Sequence, residues 1–244
     1  MLRPEVASVP VEAVVMAAGE GRRLRPVTER WPKPVLPIDG RPVIATLLRQ
    51  LAAGGIVNVT VVVGRLASQI ERLLDGGRPF GVQLRLARQP SADGSADAVL
   101  RALRAGAQPP LIVAAADTLF GPGDVGRFAE RFATSGAPGA LAVRRHPPPG
   151  PGRVAVRTVE GRVTTIGDGN PENPLAAAPL WGLRAETAGF LDDLPGPPFE
   201  LAVAFRRAIA SGLRVDAVEV GPTRDLTHAV DLMEENFPYL GALS

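Results

Sequence analysis

The chain of 244 residues contains no cysteine and one lysine, and aromatic residues make up only 5% of it. Because cysteine is absent, a disulfide framework, a thiolate zinc site and a thiol nucleophile are all excluded. No apolar run approaches the roughly 20 residues that a membrane-spanning helix needs. The first ten residues also lack the apolar segment of a signal peptide. We therefore expect a cytoplasmic protein that has no membrane partner.

An excess of charge of one sign is also missing, since 27 Lys and Arg residues face 25 Asp and Glu residues, a net charge of +2. The pI is nevertheless 9.8, because the chain has almost no group that titrates between neutral and strongly basic pH. No basic stripe is visible, and we predict no nucleic-acid partner. Lys33 is the only lysine among the 27 cationic side chains, which makes its position informative.

Short apolar segments alternate with amphipathic segments through the first 145 residues. Strands are predicted at 14–17, 59–63, 82–86, 111–116 and 141–144, and the run at 59–63 is continuous and β-branched. The predicted helices repeat apolar residues every three or four positions, at 43–53, 66–74, 95–105 and 125–134, with Ser95 as the N-cap of the third. This alternation predicts βαβ units in a mostly parallel sheet, which binds ligands at the carboxyl ends of its strands.

A Pro- and Gly-rich segment at residues 146–152 is the one clear break in composition, and we predict a rigid connection there. Beyond it, a hairpin is predicted around Glu160 and Gly161. The remaining predicted elements are a strand at 180–183, a helix at 201–210, a strand at 215–220 and a final helix at 226–235. The whole pattern predicts a three-layer, Rossmann-like α/β fold with a mostly parallel mixed sheet and an inserted small β lobe.

A glycine-rich loop follows the first predicted strand, where residues 18–26 read Ala-Gly-Glu-Gly-Arg-Arg-Leu-Arg-Pro. Glycines after a strand let backbone N–H groups approach an anion, and neighbouring arginines can neutralise phosphate charge. The loop lacks the Gly-Lys-Ser/Thr ending of a P-loop, and Leu24 stands where a dinucleotide fingerprint has its third glycine. Spacing alone therefore leaves a purely structural turn as an alternative.

The residues on both sides of this loop favour an anion-binding loop over a purely structural turn. Residues 16–28 read Met-Ala-Ala-Gly-Glu-Gly-Arg-Arg-Leu-Arg-Pro-Val-Thr, and residues 31–43 begin Trp-Pro-Lys-Pro-Val-Leu-Pro. This stretch resembles the signature of the sugar-phosphate nucleotidyltransferases, the nucleoside-diphosphate-sugar pyrophosphorylases. The resemblance implies that the loop residues lie against the nucleotide, namely Ala17, Ala18, Gly19, Gly21 and Arg22.

The resemblance also implies two catalytic residues. Arg23 would bind the pyrophosphate leaving group, and Lys33 would bind phosphate at the reacting centre. The alternative is that Lys33 is an ordinary surface residue, but a compact ammonium and a planar guanidinium are not interchangeable as phosphate ligands.

The segment that starts at Gln89 resembles the family's Gln-x(4)-Gly-Thr-Ala-x-Ala-Val element. By that resemblance, Gln89, Gly94 and Ser95 would contact the nucleotide, with Gln89 and the Gly94 backbone at the base edge. For Gln89 alone, a polar residue at the end of a strand is the alternative.

Two aspartates resemble the metal ligands of the family, and the implied cofactor is Mg²⁺. Asp117 follows the predicted strand 111–116, at the edge where open α/β sheets place function. Asp225 matches more weakly, because several residues of its motif are absent. Asp117 could instead form a turn, and Asp225 could cap the last helix.

The acceptor half matches the family less well. Asp168 replaces the usual Glu, Gly169 stands near the place of the acceptor lysine, and Trp181 takes the aromatic position. The implied acceptor residues are Asp168, Trp181 and Glu200. The missing lysine indicates an unusual acceptor, such as a heptose, a deoxysugar or a cyclitol phosphate.

The resemblance implies a single nucleotidyltransferase domain over residues 1–244, with a nucleotide-binding half at about 11–145, an acceptor-binding half with the β lobe at about 146–222, and a C-terminal helix at 223–244. The expected reaction is Mg²⁺-assisted transfer of a nucleoside monophosphate from an NTP to a sugar-1-phosphate, with release of pyrophosphate. A regulatory paralogue that binds nucleotide with little turnover, and a cyclitol-phosphate nucleotidyltransferase, are the alternatives. The resemblance further implies a homo-oligomer, whereas the nucleobase stays open.

Overall fold

The computed structural model describes residues 11–145, 154–170 and 173–237. Its strands, numbered in chain order, are β1 (Glu12–Ala17), β2 (Pro37–Ile38), β3 (Arg41–Pro42), β4 (Asn58–Val63), β5 (Gln83–Arg88), β6 (Leu111–Ala115), β7 (Thr118–Leu119), β8 (Gly139–Arg145), β9 (Val156–Val159), β10 (Arg162–Ile166), β11 (Leu175–Leu183), β12 (Val215–Glu219) and β13 (Arg224–Asp225). Its helices are α1 (Val27–Arg30), α2 (Val43–Ala53), α3 (Ala67–Leu74), α4 (Ser95–Arg104), α5 (Asp124–Ser135), α6 (Ala185–Ala188), α7 (Leu201–Ala210) and α8 (Asp231–Glu234).

Nine of these strands form one sheet in the order β5-β4-β1-β6-β11-β8-β12-β10-β9. The strand β1 pairs in parallel with both β4 and β6, whereas β11 runs antiparallel between β6 and β8. The predicted mixed, mostly parallel sheet is therefore confirmed. Because β1 and β6 are parallel neighbours, the segments that leave their carboxyl ends meet at one edge of the sheet.

Helices cover both faces of this sheet and produce three layers. On one face, α2, α3 and α5 bury side chains such as Leu47, Ile70 and Phe128. On the other face, α4 and α7 bury Val99 and Phe205. None of the helices in the described ranges is both long and apolar enough to cross a bilayer.

The predicted hairpin forms between β9 and β10, which are antiparallel. Glu160 and Gly161 at its tip have φ values of 50° and 75°, the left-handed pair that a two-residue hairpin turn requires. Arg162 pairs with Asp216 of β12, so the predicted insertion extends the edge of the main sheet and is continuous with it. The connection predicted at residues 146–152 lies outside the described residues.

The C-terminal segment departs from the predicted helix at 226–235, because only Asp231–Glu234 is helical in the part of this segment that the structure describes. Instead of starting a helix, Asp225 pairs with Thr118 in a short antiparallel ladder. The Asp231 carboxylate accepts hydrogen bonds from the backbone N–H groups of Thr227 and His228 at 2.5 and 2.8 Å. These bonds hold residues 227 and 228 in a turn, and the helix begins at residue 231.

Candidate active site

A cleft of about 380 Å³ opens at the carboxyl ends of β1 and β6. Six segments enclose it: the loop after β1, the segment at Lys33 and Pro34, the connection from β5 into α4, the end of β6 with Asp117, the start of α7 at Glu200, and a short part of the C-terminal segment. Its lining residues are Met16, Ala17, Ala18, Gly19, Gly21, Arg22, Arg23, Leu24, Lys33, Pro34, Gln89, Ala92, Gly94, Ser95, Ala98, Ala115, Asp117, Glu200, Leu226 and Thr227. The position agrees with the rule that open α/β sheets bind ligands at the carboxyl ends of their strands.

Gly21 lets the loop after β1 fold tightly against its own continuation. Its φ is 63°, and a Cβ atom there would lie 2.9 Å from Cγ2 of Thr28. Thr28 is buried and donates a hydrogen bond from Oγ1 to the Gly21 carbonyl at 2.9 Å. Glycine is therefore required at this turn, and Thr28 holds the loop in place.

The two adjacent arginines of this loop, Arg22 and Arg23, differ in what they contact. The Arg22 Nε lies 2.6 Å from Glu20 Oε2, and this hydrogen bond lowers the pKa of Glu20. Arg23, in contrast, pairs with no carboxylate among the described residues, although it lines the cleft. Of the two, Arg23 is the guanidinium left free to bind an anion.

Lys33 meets Asp117 at the floor of the cleft. Its Nζ lies 2.5 Å from Asp117 Oδ2, and the two side chains are 15% and 33% exposed. The residues are 84 positions apart in the chain, and the parallel pairing of β1 with β6 brings their segments together. The pair places a cation and a carboxylate side by side in the lining of the cleft.

The C-terminal segment forms another wall of the cleft. Leu226 is fully buried in a small apolar cluster with Leu24 of the glycine-rich loop, so the C-terminal segment packs against this loop. Thr227 donates from Oγ1 to Asp225 Oδ1 at 2.5 Å. Asp225 itself is not in the lining of the cleft, but it lies opposite Thr118, the residue after Asp117.

Gln89 is buried at the end of β5 and its side-chain amide is oriented by two acceptors. Its Nε2 donates to the Gly94 carbonyl at 2.9 Å and to Asp97 Oδ2 at 2.9 Å. Because both partners are acceptors, the nitrogen must face them. The Oε1 atom has no partner among the described residues, and Gln89 lines the cleft. The carboxamide thus offers a hydrogen-bond acceptor to a ligand.

Ser95 joins the N-terminal ends of α4 and α7. Its Oγ donates to Glu200 Oε2 at 2.7 Å and accepts from the backbone N–H of Leu201 at 2.7 Å. The predicted N-cap role of Ser95 in α4 is wrong, since Gly94 occupies that position and Ser95 is the first helical residue. Its hydroxyl instead satisfies one of the free N–H groups at the start of α7.

Asp168 and Trp181 are the two predicted acceptor residues that the structure does not bring to this cleft. Asp168 accepts hydrogen bonds from Arg157 Nε at 2.7 Å and Asn173 Nδ2 at 3.0 Å, and the Arg157 hydrogen bond lowers the pKa of Asp168. Trp181 is buried on β11, with its ring centroid 4.8 Å from that of Phe205.

The sequence matches the family described as nucleotidyl transferase over residues 12–168. This span covers well over half of the chain and includes the glycine-rich loop, Lys33, Gln89 and Asp117. The chain belongs to this family.

Individual relatives agree with that assignment. A CMP-5'-(3-aminopropyl)phosphonate synthase of Streptomyces rubellomurinus is 34% identical over 164 residues, which are 66% of this chain and 25% of the relative. A glucose-1-phosphate thymidylyltransferase of Streptomyces antibioticus is 26% identical over 235 residues, which are 93% of this chain and 65% of the relative. The chain therefore spans less than two thirds of either protein.

Solved structures share the fold. An inositol-1-phosphate CTP transferase from T. maritima superimposes with a TM-score of 0.79 over 93% of this chain and 96% of that chain, at 19% identity. The predicted Rossmann-like nucleotidyltransferase fold is therefore confirmed.

Three residues that line or support the cleft were not predicted from the sequence. Asp97, which orients Gln89, sits in an ordinary amphipathic helix pattern, and no spacing rule marks it. Thr28 and Thr227 are likewise single polar residues whose roles depend on which loops meet. For Thr28, the signal available was its place in the family signature.

Proposed function

We propose that this protein transfers a nucleoside monophosphate from an NTP to an organic phosphate or phosphonate acceptor and releases pyrophosphate, with a sugar-1-phosphate as the reference acceptor. The observation that carries this proposal is the Lys33–Asp117 pair at the floor of the cleft, flanked by the unpaired Arg23 and by the oriented Gln89 carboxamide. Together they offer charge neutralisation for phosphates and a hydrogen-bond acceptor for a base within one cavity.

In this reaction an acceptor oxygen attacks the α-phosphorus in line, forming a new P–O bond while the bond to the pyrophosphate oxygen breaks. The nucleophile is already an anion, so the protein needs no general base. Its residues contribute by positioning the reactants and stabilising charge. Lys33 binds the α-phosphate region, and Arg23 binds the departing pyrophosphate.

The nucleotide is held by the loop after β1 and by the β5–α4 connection. Backbone groups of residues 17–21 approach its phosphates, which the glycines permit. The base edge meets Gln89 Oε1 and the Gly94 backbone N–H, a pairing of acceptor and donor. Such a pair fits an edge that presents a donor beside an acceptor, which both purines and pyrimidines do.

Asp117 and Asp225 are the residues that would hold Mg²⁺. Both carry the oxygen donors that this hard cation prefers, and the β7–β13 pairing sets Asp225 beside the residue that follows Asp117. The described residues assemble no group of three or more acidic or histidine ligands, so phosphate oxygens and water would complete the coordination. Bound Mg²⁺ would neutralise negative charge on the reacting phosphates.

The named relatives support transfer to different acceptors. Their names include glucose 1-phosphate in one case and 3-aminopropylphosphonate joined to CMP in the other. Both acceptors present a phosphorus-bound oxygen anion as the nucleophile. On the acceptor side of the cleft, we propose Glu200 as the contact, and the roles of Asp168 and Trp181 stay predictions.

A pyrophosphate-release assay tests the proposal. Each of the common NTPs is combined with Mg²⁺ and with a panel of sugar-1-phosphates, cyclitol phosphates and phosphonates, and turnover is expected for at least one pair. If nucleotide raises the melting temperature but no pair releases pyrophosphate, the alternative of a nucleotide-binding paralogue with little turnover replaces the proposal.

The loop arginines provide a matched comparison within that assay. Arg23→Ala should lower kcat/KM about 100-fold or more, as the loss of one charge-stabilising group does at comparable sites. Arg25 belongs to the same loop and is exposed, but it does not line the cleft, so Arg25→Ala should change kcat/KM by less than about threefold. Equal effects of the two substitutions would contradict the role given to Arg23.

A further inference from the structure

A row of polar side chains runs from the surface of α4 to Gln89 in the wall of the cleft. Gln89 and Asp97 are buried, with 4% and 8% of their surface exposed, whereas Arg101 is partly exposed. The Arg101 Nε lies 3.3 Å from each carboxylate oxygen of Asp97, and Asp97 Oδ2 accepts the hydrogen bond from Gln89 Nε2. Each member of the row is therefore held by its neighbour, and of the three only Gln89 lines the cleft.

Asp97 decides which end of the Gln89 carboxamide faces the cleft. The two ends of a carboxamide have almost the same shape, and a half-turn of the side chain exchanges them. A carboxylate accepts hydrogen bonds and donates none, so the reversed amide would set its oxygen against Asp97 Oδ2 and the Gly94 carbonyl, each 2.9 Å from the present nitrogen. Of these two acceptors only Asp97 carries a charge, and it contributes the larger part of the preference.

This fixed orientation restricts the nucleobase that the cleft accepts. A base atom opposite Gln89 Oε1 has to donate, because an acceptor there would leave both groups without a hydrogen-bond partner. Uracil and cytosine share a ring size but carry opposite donor and acceptor groups on the edge that forms base pairs, and so do guanine and adenine. A site with a committed acceptor therefore discriminates within each of these two pairs.

We propose that Asp97 is a positioning residue that determines nucleobase selectivity through Gln89. Asp97 itself does not line the cleft, so it acts by committing the carboxamide oxygen, and Arg101 holds the carboxylate in place on the side away from Gln89. This inference rests on the proposed nucleotidyl transfer and specifies how its site selects the base.

The test compares UTP with CTP and GTP with ATP, using the acceptor selected by the pyrophosphate-release assay. Within the pair that contains the preferred nucleotide, the wild-type protein should favour one member at least about tenfold in kcat/KM. Asp97→Asn keeps the shape of the side chain but can present an oxygen or an N–H to Gln89, so both amide orientations become accessible. The preference within the pair should then fall about fivefold or more.

Two further variants support this comparison. Asp97→Ser has a hydroxyl that can donate or accept, and it should lower the preference in the same direction. Asp192 is an exposed carboxylate that does not line the cleft, so Asp192→Asn should keep the wild-type preference. Isothermal titration calorimetry with each NTP in the absence of acceptor measures the same preference without turnover.

The remaining outcomes separate the inference from the proposed function. If Asp97→Asn lowers kcat/KM for all four nucleotides by the same factor, Asp97 has only a structural role and the inference is overturned. Equal use of both members of the pair by the wild-type protein also overturns it. Absence of pyrophosphate release with every combination defeats the proposed transfer, whereas a calorimetric preference that Asp97→Asn lowers would still support the inference.

Discussion

Replacing Gly94 with alanine tests the close approach between the β5–α4 connection and the start of α7. Gly94 has φ 111° and ψ 172°, a region that is accessible almost only to glycine. A Cβ atom there would lie 2.3 Å from the Phe199 carbonyl oxygen and 2.5 Å from its nitrogen. Both of these atoms are held by the hydrogen bonds to Asp93 and Ala96, so the backbone cannot simply move aside.

Two costs add in Gly94→Ala. The backbone conformation costs about 1–3 kcal/mol for a residue with a side chain, and forcing an extra carbon into a packed contact costs about 1–3 kcal/mol. We therefore expect the free energy of unfolding to fall by about 2–6 kcal/mol. For a protein of this size, a loss of about 4 kcal/mol corresponds to a decrease in Tm of about 8–16 °C. The displaced loop should also weaken nucleotide binding, because Gly94 orients Gln89.

Gly212→Ala is the matched control for thermal unfolding. Gly212 has φ 85°, but nothing lies within 4 Å of the Cβ position, so only the conformational cost remains. We expect a decrease in Tm of about 3–6 °C there. Both substitutions restrict the unfolded chain equally, so their difference in Tm reports the contact with Phe199 together with the more restricted backbone region of Gly94. If Gly94→Ala melts within about 2 °C of Gly212→Ala, the close approach is not rigid and the reasoning is refuted.

Three further predictions concern other contacts. Asp97→Asn should raise KM for the NTP about five- to tenfold with little change in kcat, because a neutral partner orients Gln89 less strongly. Steady-state kinetics showing a lower kcat with an unchanged KM would contradict it. Leu226→Ala should lower the free energy of unfolding by about 2–4 kcal/mol, as for a buried leucine, and urea titration showing less than 1 kcal/mol would contradict it. Since hydrogen bonding to Arg224 lowers the pKa of Asp39, this carboxylate stabilises the fold above its usual pKa. The stability gap between wild type and Asp39→Asn, up to about 1 kcal/mol at pH 7, should therefore close as the pH falls below about 4; a gap that persists at pH 2 would contradict this.

Much of the fold could be predicted from local sequence patterns. The helix α2 has the predicted bounds, because its apolar spacing runs without interruption from Val43 to the glycines that follow Ala53. The β-branched run that forms β4 and the turn at Glu160 and Gly161 were predicted for similar reasons. In these elements a strong short-range preference and the tertiary structure agree.

The departures occur where distant partners decide the structure. Residues 226–230 have a helical pattern, yet Leu226 is buried against Leu24 and the preceding Asp225 pairs with β7, contacts that local periodicity does not encode. Ser95 looked like an N-cap of its own helix, but its hydroxyl serves Leu201, 106 positions away. The site residues show the same contrast between local motifs and distant contacts. The motif residues of the glycine-rich loop line the cleft as predicted, whereas Trp181 packs on Phe205 in the core.

The scarcity of lysine has a practical consequence for chemical labelling. Apart from the α-amino group of the chain, the Lys33 ε-amine is the only primary amine that this sequence supplies. Because that amine lies in the cleft beside Asp117, amine-acylating reagents would modify one side chain, and bound nucleotide would shield it. Mass spectrometry would then give the fraction of molecules that are acylated at Lys33. The protected fraction would report how many molecules carry bound nucleotide, and no reporter group would have to be introduced.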